Sequence, residues 1–187
     1  MRKIAVIIHG WGGHPEEGWR PWLREQLQER GYEVHIPAMP DTDHPKPKKW
    51  EAALAQEIGE PDEGTLLIGH SLGCPTILRY LEGLLESQRV GSVILIAGCA
   101  RKLGEGFEEL EPFFERPFDW DTIIKHCDRF AVLHSEDDPL VPVAFAREMA
   151  DRLDSKPIVV ENRRHFASGD GIEEIYEVLA ILEGFGE

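Results

Sequence analysis

Residues 66–75 read LLIGHSLGCP: an apolar run, then a serine with a glycine two places to either side, then a proline. Two readings compete for Ser71. It is a nucleophile held on a sharp turn, or an ordinary serine opening an ordinary helix. The G-x-S-x-G pattern by itself is weak, since glycine and serine are common enough to produce it by chance. Its setting carries more weight. TLLIGH (residues 65–70) has the pattern of a short buried strand, and LGCPTILRYLEGLLES (residues 72–87) has amphipathic helical spacing. A nucleophile elbow lies at such a strand-to-helix junction. The turn strains the serine backbone, and flanking glycines remove side chains that would collide there. Pro75 falls in the first helical turn, where its missing N–H costs little. The competing account is a helix N-cap serine. Cys74 is a second candidate nucleophile, but it sits about one helical turn further on, directed away from any oxyanion donors. A small buried packing residue accounts for it better.

Outward from this junction, apolar runs alternate with helical patterns along the chain. IAVIIH (residues 4–9), YEVHIP (32–37), TLLIGH, VGSVILIAG (90–98), FAVLHS (130–135) and a weaker KPIVVE (156–161) read as strands. Helices are expected between them and at the end, EEIYEVLAILEGF (173–185). The expected fold class is therefore α/β: one three-layer α/β/α domain over residues 1–187, with a doubly wound, mostly parallel, six-stranded sheet in the order 2-1-3-4-5-6. Residues 100–119 depart from the alternation. They are acidic yet carry Phe107, Leu110, Phe113, Phe114 and Phe118, with Trp120 just beyond. Either they tuck aromatics onto the sheet or they form a small cap over an apolar pocket. In the second case Phe113, Phe114 and Trp120 are the substrate-binding candidates.

A serine nucleophile needs a base, and the base needs an orienting acid. In hydrolases of this architecture the chain order is Ser, then Asp or Glu, then His. Three histidines follow Ser71: His126 in a helical stretch, His134 at a strand end before the candidate acids, and His165 in ENRRHFASGD after the last strand. His165 has the required order and lies at the required end of the sheet. For the acid, SEDDPLVP (135–142) offers Glu136, Asp137 and Asp138. Asp138 is preferred because Pro139 fixes the turn that aims it, with Asp137 next. The loop HGWGG (9–13) can bring backbone amides close to a substrate oxygen, so the Trp11 and Leu72 N–H groups are the expected oxyanion donors. HGWGG lacks the spacing of a dinucleotide or P-loop phosphate cradle.

Composition limits the alternatives. Thirty-five acidic against 20 basic residues give a net charge of −15, which repels nucleic-acid backbones and anionic membranes. No apolar run approaches the roughly 18 residues of a membrane span, and the N-terminal apolar stretch is too short for a signal peptide. Three dispersed cysteines suggest reduced thiols, so a cytoplasmic location is expected. The scattered histidines show no metal-ligand spacing. Neither a metal nor a cofactor is expected.

With these residues identified, the chain resembles the α/β-hydrolase superfamily. More narrowly, it is similar to the small serine hydrolases related to retinoblastoma-binding protein 9 and YdeN. The resemblance spans nearly the full length and is carried by IAVIIHGWGG, GHSLGCPTIL, FFERPFDWDTI, SEDDPLVP and RHF. It implies a Ser71, Asp138, His165 triad and no large cap domain. Arg164 departs from the glycine usual before the family's histidine, which suggests a differently set loop. The expected activity is hydrolysis of a small-molecule ester or acyl substrate, carboxylesterase-like, through an acyl-enzyme. A thioesterase or amidase of the same mechanism is the alternative, as is a protein-interaction module with little turnover. The sequence names no protein partner.

Overall fold

The computed structural model describes residues 2–186, so the two end residues of the expected domain lie outside the described residues. Its strands are β1 (Ile4–Ile8), β2 (Glu33–His35), β3 (Thr65–His70), β4 (Ser92–Ile96), β5 (Phe130–Ser135) and β6 (Pro157–Val160). They pair in the order β2-β1-β3-β4-β5-β6, and every neighbouring pair is parallel. The sheet is thus wholly parallel, where the sequence suggested mostly parallel. Parallel neighbours require a crossover, and five helices supply it: α1 (Arg20–Glu29), α2 (Pro47–Ile58), α3 (Gly73–Glu82), α4 (Trp120–Lys125) and α5 (Val143–Arg152); α6 (Tyr176–Phe185) follows the last strand. Among the described residues no helix is long and apolar enough to cross a membrane.

The strand alternation divides the core in two. Ile4, Val6 and Ile8 of β1 face one layer, with Trp50 and Leu54 of α2, Ile77 and Leu81 of α3 and Met149 of α5. Ala5 and Ile7 face the other, with Leu23 and Leu27 of α1 and Val178 and Leu182 of α6. Every residue of β1, β3 and β4 is buried, so they read as unbroken apolar runs because both faces are covered. The edge strands β2 and β6 are only partly buried, which is why their sequences carry a fainter signal. The chain enters the sheet at β1, runs outward to β2, then returns to β3 on the opposite side. The adjacent carboxyl ends of β1 and β3 therefore flank the switch point where such sheets bind ligands.

Residues 100–119 pack against α3. A 3-10 stretch, Glu108–Phe114, leads into α4. It is tied down by Arg79 of α3, whose side chain is 4% exposed. Arg79 donates to the carbonyls of Phe113, Arg116 and Pro117 and stacks 3.7 Å from the Phe118 ring centroid. It also pairs at 2.9 Å with the buried Glu82, which in turn accepts from the Asp119 N–H. One buried ion pair on one helix thus satisfies a run of backbone groups that no regular element serves.

Candidate active site

At the end of β3 the backbone of Ser71 has φ +52°, in the left-handed region. That conformation costs a serine about 1 kcal/mol or more. The two flanking glycines make the turn possible by close approach. A Cβ on Gly69 would meet the Gly73 carbonyl carbon at 2.8 Å, and one on Gly73 would meet the Ile8 carbonyl oxygen at 2.5 Å. Ser71 does not cap α3. Leu72 is the N-cap residue and makes no side-chain cap bond, whereas the Ser71 Oγ lies 2.9 Å from His165 Nε2.

His165 Nδ1 is 2.8 Å from Asp138 Oδ2, so the three side chains form one hydrogen-bonded chain drawn from three separated loops. The Asp138 side chain is fully buried and that of His165 is 8% exposed. The other Asp138 oxygen accepts from the Leu140 and Val141 N–H groups at 2.8 and 3.0 Å. Behind it, His134 donates from Nε2 to the Val141 carbonyl, and burial lowers the pKa of its ring. Asp137 takes a different post. Its Oδ1 accepts from the Ser135 hydroxyl and the Arg164 N–H, so it holds the backbone beside His165 rather than the imidazole.

The His165 loop is strained and correspondingly well gripped. Asn162, Arg164 and Phe166 have φ of +60°, +48° and +54°. Arg164 thus adopts the left-handed backbone that suits glycine. Asp170 accepts from the N–H groups of His165 and Ala167 and binds Arg164 Nε at 2.9 Å. From below, Trp19 Nε1 donates to the Phe166 carbonyl, and His70 Nε2 donates to the His165 carbonyl at 2.8 Å. Burial, reinforced by the nearby His165, lowers the His70 pKa well below its ordinary value, which keeps its ring neutral. His70 Nδ1 is buried and has no partner among the described residues.

A cleft of about 190 Å³ opens over Ser71 and His165, floored by the Gly10–Gly13 loop and His70 and walled by Phe107 and Leu110. His9 sets that loop: its Nδ1–H donates to the Gly10 carbonyl, and its Nε2 accepts from the Met39 N–H. The Trp11 indole donates to the Asp43 carbonyl and tilts against Phe107, with ring centroids 6.3 Å apart. Neither the Trp11 nor the Leu72 backbone N–H has a protein acceptor among the described residues. A small apolar niche on the other side of Ser71 is lined by Leu72, Pro75, Cys99 and Phe114.

The three aromatic substrate-binding candidates part company. Phe114 lines that niche. Phe113 is buried in the core, edge-on to Trp50 at 6.0 Å, and Trp120 lines a different hollow with Arg101, Phe145 and Met149. Phe113 is displaced because the 3-10 stretch turns it and Phe114 to different sides, and Trp120 because it lies beyond that stretch, at the start of α4 and against Phe118. Phe107 and Leu110 occupy the cleft wall instead. Cys74 is fully buried and donates to the Gly69 carbonyl, and burial pushes its thiol far above the usual range, which removes it as a nucleophile. Arg20 and Glu17, which also line the cleft, gave no sequence signal. WRPW reads as a helix start, and nothing in it distinguishes a buried arginine from a solvated one.

The profile of the family described as serine hydrolase matches residues 5–184. The Bacillus subtilis (strain 168) hydrolase YdeN is 34% identical over 185 residues, covering 99% of this chain and 97% of the relative. The solved structure of the B. subtilis ydeN gene product superposes with a TM-score of 0.93 at 33% identity, over 98% of each chain. Rat serine hydrolase RBBP9 is 33% identical over 181 residues, covering 95% of both. The structural neighbours share the α/β-hydrolase fold.

Proposed function

Because the chain belongs to the serine hydrolase family, we propose that it cleaves small carboxylic esters through an acyl-enzyme on Ser71. One observation carries this reading: the unbroken chain from Ser71 Oγ through His165 to a buried Asp138, at the floor of an open cleft. His165 Nε2 takes the hydroxyl proton as Ser71 Oγ attacks the ester carbonyl carbon. The oxygen of the tetrahedral intermediate receives hydrogen bonds from the unengaged Trp11 and Leu72 amides. As the intermediate collapses, His165 returns the proton to the departing alcohol. A water, deprotonated by His165, then cleaves the acyl-enzyme and restores Ser71. Asp138 accepts from Nδ1–H throughout, which leaves Nε2 as the base and stabilises the imidazolium when it forms. Phe114 and the niche beside Leu72 would take an apolar acyl group.

A fluorophosphonate probe and a panel of p-nitrophenyl esters of increasing chain length test the reading together. Labelling and turnover are expected in the wild type, both lost in Ser71→Ala, with turnover falling about 10,000-fold or more. Esterase activity that survives Ser71→Ala would end the proposal. Absence of labelling and turnover in the wild type would favour a non-catalytic role for the scaffold.

A further inference from the structure

The cleft holds a buried charge that this reaction does not use. Arg20 begins α1, and its side chain is 3% exposed, yet it lines the cleft together with Ser71, Gly13 and His165. A buried guanidinium is costly unless acceptors and a counter-charge meet it. Here they do so incompletely. Nε donates to the neutral His14 carbonyl at 2.9 Å. The carboxylate that Arg20 meets is Glu17, 3.5 Å away on a side chain 44% exposed. A pair that long and that wet contributes little. A guanidinium carries five N–H donors, and no further protein acceptor meets this one among the described residues. Nη2 is the nitrogen that meets Glu17, while Nη1 has no protein acceptor among the described residues and is not sealed off in the interior, which leaves a donor for a ligand in the cleft that Arg20 lines. The positive field is felt locally. After burial, Arg20 is one of the influences that lower the pKa of His9 and His70.

We propose that Arg20 is an anion subsite, and that the preferred substrates are esters carrying a carboxylate in their acyl or alcohol part. Resting on the ester-hydrolase reading, this names its substrate class. The substrate carboxylate displaces Glu17 and meets the planar guanidinium through paired N–H···O bonds, a geometry a single long contact does not use. Glu17, already half in water, is released at little cost. The net charge of −15 disfavours anions at long range, but salt screens that field within about 10 Å. Selectivity is therefore set by the local contest between Glu17 and the substrate.

The test compares matched esters on one preparation, so that the fraction of folded enzyme cancels. The pairs are p-nitrophenyl hemiglutarate against p-nitrophenyl valerate, and 3-acetoxybenzoate against phenyl acetate. The wild type is expected to favour the anionic member of at least one pair by about tenfold or more in kcat/KM, the scale of one charge-assisted contact. Arg20→Gln is expected to erase that ratio, and Glu17→Gln to raise it. Equal or neutral-favouring ratios in both pairs overturn the subsite, as does a preference that survives Arg20→Gln. If Arg20→Gln does not fold, Glu17→Gln decides, and an unchanged ratio overturns it. If the wild type hydrolyses none of the four esters, the hydrolase reading fails separately. The subsite then stands or falls on whether glutarate raises the melting temperature of Ser71→Ala but not of Ser71→Ala/Arg20→Gln.

Discussion

At the scale of single residues, the two neighbouring carboxylates after β5 carry different duties. Asp138 faces the imidazole, and Asp137 holds the backbone of Arg164. Asp138→Asn is expected to lower kcat by about 10,000-fold while leaving the fold intact, because an amide favours the wrong histidine tautomer. Asp137→Asn keeps the tautomer and loosens the loop, so its loss should be about tenfold and should appear partly in KM, a split that steady-state kinetics resolves. Arg164 makes the complementary case. Its left-handed backbone costs about 1 kcal/mol that glycine does not incur, while glycine makes the unfolded chain more flexible by a similar amount. Its ion pair with Asp170 is solvated on the arginine side and contributes little. Arg164→Gly should therefore change the melting temperature by only a few degrees and leave kcat within a small factor, as thermal unfolding and ester assays would show. The order Ser71, acid, His165 was legible from sequence because the hydrolase arrangement fixes it. The choice of Asp138 over Asp137 depends on one turn, whose aim Pro139 foreshadowed.

At the scale of elements, the excursion between β4 and β5 was the least legible part of the chain. Its aromatics are conspicuous, but a 3-10 stretch turns successive residues to different sides, and no apolar period announces which side meets the cleft. Substitutions should sort accordingly. Phe114→Ala is expected to change acyl-chain preference. Phe113→Ala should instead lower stability by about 3–5 kcal/mol, as for other buried aromatics, and Trp120→Ala should leave chain-length preference unchanged. A chain-length panel beside urea unfolding separates the three. The anchor is Arg79 on α3. Replacing it with methionine leaves Glu82 with only the half-exposed Arg116 and the Asp119 N–H and strands three carbonyls, so a loss of about 2–3 kcal/mol is expected in urea unfolding. Arg79 lies mid-helix in TILRYLE, and nothing in that spacing announces that its guanidinium is buried.

At the scale of the whole molecule, three buried histidines make stability depend on pH. Burial lowers the pKa values of His9, His70 and His134. In the unfolded chain each titrates near 6.5. Above that pH both states are neutral and the histidines contribute nothing. As pH falls below 6.5 the unfolded chain takes up protons that the native fold resists, so stability is lost progressively toward the lower folded values. The slope approaches about 1.4 kcal/mol per pH unit for each histidine fully withheld from protonation. Urea midpoints should stay level from pH 7.5 to about 6.5 and then fall steadily toward pH 5. His134→Asn, lying behind Asp138 and off the reacting atoms, should flatten the curve.

The sequence by itself determined the layered α/β architecture and the strand order, and it pointed to the end of the sheet where the candidate site lies. These follow from local causes: β-branched runs closed by glycine, helical periodicity between them, and crossover rules that leave few topologies. The elbow at Ser71 was equally local, since two glycines and a strand-to-helix junction suffice to predict it. Tertiary structure alone decided which aromatics reach the cleft, that Cys74 is sealed in the core, and that Arg20 lines the cleft while buried, with a weak counter-charge in Glu17. Burial and electrostatic compensation belong to the whole assembled environment, and no spacing along the chain encodes them.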